Sequence, residues 1–189
     1  MFDTWGDFTH NDAGAAGDAG GATVGRVLDQ LAQVFGCDRA ALGRVVGEPV
    51  PAAGLDPDRL LERIGAAERL ADAVHAVQVH DLAGFAAARR AEDHELGLRG
   101  DLVGRTAAIE VAAACTVATQ TAQSRLCDAE VATGRLPGLL GLVGGGRVSM
   151  GGLRRVIAET WLLDPDLFAA ADRLLAAEAT SRRLSPGQL

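Results

Sequence analysis

A chain of 189 residues with 48% hydrophobic side chains is long enough for one domain with a buried core, and its net charge of −7 excludes a protein that coats nucleic acid through a general excess of cations. Aromatic residues make up only 4% and Tyr is absent, so the core must be built from Ala, Leu and Val, which favour close-packed helices over a β-sandwich. The charge is unevenly spread: Asp3, Asp7, Asp12 and Asp18 stand in residues 1–25 without an Arg, whereas residues 119–160 hold Arg125, Arg135, Arg147, Arg154 and Arg155 against Asp128, Glu130 and Glu159.

In chain order, residues 1–21 are acidic and rich in Gly and Ala, and are expected to be a disordered tail. Phe2, Trp5 and Phe8, three residues apart, are its only bulky anchors. Residues 22–36 carry an apolar stripe of Val24, Val27, Leu28, Leu31 and Phe35, stopped by Gly36. A shorter segment follows with Asp38 as N-cap, and residues 47–57, with three prolines, read as a linker. Residues 57–95 form a long helix that starts on Asp56 and Pro57. Leu60, Ile64, Ala67, Ala71 and Val74 are spaced four, three, four, three, which predicts a packing seam continuing to Leu82 and Phe85. His75 and His80 lie five apart, roughly 140° around the helix, so no shared metal ion is expected.

Helices are then expected over 102–115, with Ile109 and Val111 among their apolar positions, and from an N-cap at Thr119 to about Ala132, with Ala122, Leu126 and Ala129 inward and Gly134 as the stop. Leu136-Pro137 restarts a short helix, 137–143, and Gly144-Gly145-Gly146 breaks it. Ser149 caps a helix over 150–163 bearing Leu153, Val156, Ile157 and Trp161. Asp164-Pro165 starts the last one, 165–179, with Leu167, Phe168, Ala171, Leu174 and Leu175 inward. The sum is an all-α bundle of about six helices after the tail, organised as 1–21, 22–56 and 57–189. Cys37, Cys115 and Cys127 show no CxxC spacing and are expected to be buried thiols in a reducing cytoplasm. No signal peptide and no membrane span is expected.

Two stretches invite a chemical interpretation. Residues 110–127 have the spacing of a helix-turn-helix, with Ala112 small where the helices meet and Thr116 where a sharp turn prefers Gly. Its second helix presents Thr119, Gln120, Gln123, Ser124 and Arg125, side chains able to reach base edges or phosphates, with Arg154 and Arg155 as further cations. The glycine-rich run 141–152 lacks the preceding strand and the Lys of a phosphate loop, and is expected to be a hinge. No catalytic, metal-binding or cofactor-binding residue is assigned.

The stretch IEVAAACTVATQTAQSRLCDAEVATGRLPGLLGLVGGGRVSMGGLRRVIAET, followed by LLDPDLFAAADRLL and LSPGQL, resembles the actinobacterial domain of unknown function 222, the thirteen-E-twelve repeat family. The resemblance covers about residues 58–189 and rests on Arg135-Leu136-Pro137, Gly146-Arg147-Val148-Ser149, Asp164-Pro165 and Leu184-Ser185-Pro186-Gly187-Gln188-Leu189, with residues 66–82 matching the family's first long helix. Thr116 and Ala118 depart from the small residue and Ser usual at its turn. The resemblance implies the N-terminal region of a protein that ends in an HNH endonuclease domain. This chain stops where the family continues and has no His-Asn-His core, so no nuclease residue is carried over. The function expected is a non-catalytic helical module positioning DNA; the alternative is a protein-interaction or oligomerisation module.

Overall fold

The computed structural model describes residues 54–181 continuously, together with residues 29, 32, 33 and 38–40. Of these, 81% are helical, and no strand occurs among them. The all-α bundle expected from composition is therefore the fold. The chain divides into two units, Met1–Asp56 and Pro57–Leu189. In the first, the Asp38 carboxylate accepts from the Ala40 N–H (3.0 Å) as an N-cap does, and Arg39 pairs with Asp29. The acidic tail, all five residues of the 22–36 stripe and the greater part of the 47–57 linker lie outside the described residues, as does the 184–189 motif.

The second unit contains α1 (Pro57–Glu95), a 3₁₀ turn (Gly100–Leu102), α2 (Ala107–Cys115), α3 (Thr119–Arg135), α4 (Pro137–Gly144), α5 (Met150–Glu159), a second 3₁₀ turn (Pro165–Leu167) and α6 (Phe168–Ser181). α3 is the hub and packs against each of the other five helices. Ala122, Ala129 and Ala132 are completely buried along it, and their methyl groups let the neighbouring backbones come close. α4 plugs the centre: Leu136, Leu139, Leu140 and Val143 are the most deeply buried large side chains together with Leu153 of α5.

Carboxylates from remote helices secure the helix starts. Asp172 of α6 is buried and accepts from the Gly138 and Leu139 N–H groups (2.8 and 2.9 Å), supplying the cap that Leu136 cannot. Asp72 of α1 accepts from the Met150 N–H (2.8 Å), and Ser149, the expected cap, accepts from Gly152 (3.0 Å). Asp93 accepts from the Gly104 N–H (2.6 Å) and ties down the α1–α2 connection.

Several sequence expectations are corrected. α2 begins at Ala107 instead of 102, because Gly104 adopts a left-handed φ of 75° and interrupts the helix. Ile109 is exposed. The N-cap of α3 is Ala118, with Thr119 inside the helix, and Gly134 does not stop it; α3 runs on to Arg135. α5 ends at Glu159, which leaves Trp161 outside the helix and 69% exposed. In the last segment Leu167 and Leu174 face solvent, while Phe168 is the buried anchor. Cys127 is exposed, against expectation, and Cys115 is half-buried against the core; Cys37 lies outside the described residues.

The predicted seam on α1 meets the core only at its far end, where Leu82 is buried and Phe85 packs against the core. Residues 57–75 include no buried side chain; the helix meets the core through Ala76, Val79, Leu82 and Ala86. Leu60, Ile64, Ala67, Ala71 and Val74 lie roughly 120° around the helix from the line of Asp72, Ala76, Val79 and Ala86.

Candidate nucleic-acid interface

Residues 116–118 join α2 to α3, and the segment Gly100–Cys115, which ends in α2, bends through 111° against α3. This lies within the range of helix-turn-helix units. The turn is a left-handed C-terminal cap: Thr116 has φ 55°, its N–H donates to the Ala113 carbonyl (3.4 Å), and the Val117 N–H donates to the Ala112 carbonyl (3.0 Å). Ala112 is buried under it, as a close approach of the two helices demands.

The seven residues proposed from sequence are divided by this geometry. Thr119, Gln120, Gln123 and Ser124 are exposed on the first two turns of α3. The Ser124 hydroxyl donates back to the Gln120 carbonyl (3.1 Å), and the Gln123 amide donates to Cys127 Sγ (3.4 Å). Arg125 points roughly 160° away from Gln123 around the helix and is half-buried. There it joins Arg154 of α5 at a recess of about 10 Å³, with His75 and Gln78 of α1 and Asp128 of α3 also lining it. Only a single water fits such a volume. Burial pushes the Asp128 carboxyl up from its ordinary value, and the Arg154 guanidinium opposes that rise. Arg155 is exposed and lies 4.0 Å from Glu159, one turn along α5.

A more open groove of about 700 Å³ lies on the other side of α3, lined by Cys127, Glu130, Val131, Gly134, Arg135 and Trp161. It adjoins a second depression lined by Ile157, Ala158 and Leu162. Sequence reasoning missed this groove because Trp161 was placed inside a helix; the Pro165 start four residues later is the signal that the preceding helix has to end early. The Asp128 recess was missed in part. Its i,i+3 spacing from Arg125 is visible in the sequence, but Arg154 and His75 arrive only through tertiary packing.

A second polar cluster fastens α1 to α2 and α3. Arg89 pairs with Glu92 and Glu110 (2.5 Å each), and Arg90 pairs with Glu130. The Glu92 and Glu110 hydrogen bonds hold the Arg89 guanidinium in its charged form more firmly than usual. Its Cζ also sits 5.3 Å from the centroid of the Phe85 ring. Among the described residues, no three His, Cys, Asp or Glu side chains converge on a point able to hold a metal ion. No single described helix is long and apolar enough to cross a membrane. Comparison with family models, with curated proteins and with solved structures gave no match.

Proposed function

We propose that the chain is a non-catalytic helical module that positions DNA, serving as the N-terminal part of an HNH-endonuclease-type protein. The observation that carries this is the 111° bend between Gly100–Cys115 and α3, with Thr119, Gln120, Gln123 and Ser124 in solvent at the start of the second helix. In a helix-turn-helix that end of the second helix enters the major groove. Gln is suited to a bidentate contact with adenine, and Thr and Ser to base edges or phosphates. Arg125 and Arg154, gathered at one recess on the opposite side of α3 from Gln123, are the cations nearest to that helix start that this reading uses for phosphates. The resemblance to domain of unknown function 222 supports placing the module beside a nuclease domain.

Fluorescence anisotropy with a labelled duplex at about 50 mM salt tests this proposal. Gln120→Ala with Gln123→Ala is expected to weaken binding about tenfold and relax any sequence preference. Arg125→Ala with Arg154→Ala is expected to weaken all sequences alike and to lower the salt slope by about 2. Absence of binding, or affinity unchanged in both variants, removes the proposal. A protein-interaction module is the second reading, favoured by the apolar residues left in solvent on the first half of α1.

A further inference from the structure

We infer that residues 60–77 of α1 form a pairing surface for a second copy of this chain, with the two helices parallel and in register. The starting point is an apolar strip that no other described residue buries. Leu61 is 66% exposed, Ile64 58% and Val74 50%, and Leu70 and Val77 are exposed beside them. Further along the same side, cover is present: Leu82 is buried, Phe85 packs against the core, and Arg89 reaches Glu110 of α2. The strip is thus the continuation of a face that α2 occupies near residues 82–89 and leaves free towards Pro57.

The spacing of that strip identifies its occupant. Leu60, Ile64, Ala67, Ala71 and Val74 repeat every 3.5 residues, the period at which two helices keep one seam in contact as they supercoil. A helix that only bordered solvent has no need of this period. Over 60–77 the core contacts of α1 are made by a different line, Asp72 and Ala76, so packing among the described residues does not account for the repeat there. Ala67 and Ala71 permit close approach at the middle of the seam, and Leu61, Leu70 and Val77 widen it on both flanks. A surface carrying its own heptad is complementary to itself.

Charge selects the orientation. With Leu60, Ala67 and Val74 as one seam position and Ile64 and Ala71 as the other, Arg63 and Glu68 fall on opposite flanks. In a parallel, in-register pair each Arg63 stands opposite Glu68 of the other copy, so the favourable contact forms twice. A seam of this length, roughly 27 Å, buries on the order of 1,000 Å² in total, at the lower end for specific association. The pairing is therefore reversible and depends on concentration. It leaves the start of α3 free and stands apart from the DNA proposal: a dimer that binds no duplex keeps this inference and removes that one.

Sedimentation velocity of the full chain from about 1 to 200 µM tests it. The expected result is a shift from one to two chain masses across that range. Ile64→Glu with Val74→Glu, both at exposed positions, is expected to hold the protein at one chain mass with its helical circular dichroism unchanged. Trp161→Ser, at an exposed apolar site away from α1, is expected to leave the shift intact. Ala67→Cys under mild oxidation is expected to give a covalent dimer absent from the parent chain, because a parallel seam brings the two Cα atoms within disulfide reach. A single chain mass at every concentration overturns the inference and leaves the strip to a different protein or another stretch of this chain. A shift abolished by Trp161→Ser but not by the α1 variant also overturns it, and failure of Ala67→Cys to cross-link overturns the parallel register.

Discussion

Thr116 carries the least favourable backbone of the described chain. It is the only non-glycine there with a positive φ, and a β-branched side chain in the left-handed region costs about 1–2 kcal/mol. The conformation persists because it closes the α2 cap through the Ala112 and Ala113 carbonyls and turns the chain into α3. Thr116→Gly is expected to raise unfolding stability by about 1 kcal/mol, part of the relief being offset by the greater freedom of Gly in the unfolded chain. Urea denaturation checks this: the midpoint rises and the slope stays constant. The preference of this turn for Gly is readable in the sequence. What the sequence does not contain is the reason the turn survives without one, since the bend is held by α3 packing against five other helices.

At the scale of an element, α4 shows how a poor helix is made secure. PGLLGLVG contains three glycines and begins on Leu136, which cannot cap it. Burial of Leu139, Leu140 and Val143 holds it in place, and Asp172 accepts from its first free N–H groups. A Cβ at Gly138 would stand 2.8 Å from Asp172 Oδ2, so glycine at 138 and carboxylate at 172 are parts of one contact. Asp172→Ala is expected to cost about 2–4 kcal/mol by leaving two N–H groups without acceptors. Gly138→Ala is expected to cost about 1–3 kcal/mol by crowding. Combined, the two changes are expected to cost less than their sum, since Ala at 172 removes the clash; a double-mutant cycle in urea measures the difference. The Pro137 start is legible from sequence. Its cap is not, because Asp172 lies 33 or more residues away in the chain.

On the scale of the whole molecule, α1, α3 and α5 meet at the recess that holds Asp128 among His75, Arg125 and Arg154. Burial raises the Asp128 pKa in the folded state despite Arg154. A carboxyl raised on folding supports the fold fully below its unfolded pKa, and that support is lost as pH rises through its folded pKa. Asp128→Asn is therefore expected to flatten the pH dependence of stability across the acidic range, with its benefit relative to the parent chain larger at pH 7 than at pH 3. Urea midpoints at the two pH values check this. A change equal at both, or confined to pH 3, contradicts the assignment.

By itself the sequence determined the helical class and the starts of α1, α4 and α5, because those depend on local chemistry: Pro57, Pro137 and Ser149 act within one turn of where they stand, whereas Asp164-Pro165 opens a 3₁₀ turn and α6 begins only at Phe168. It also determined the inward side of α3, since Ala122, Leu126 and Ala129 repeat at helical spacing and all three are buried. Only the tertiary structure decided which face of α1 the core uses. Apolar periodicity marks a side that wants cover but cannot say whether the cover comes from within the chain. It alone also brought Arg154 and His75 to Asp128, because the partners of a half-buried charge are set by how helices cross, and the crossing depends on every side chain between them.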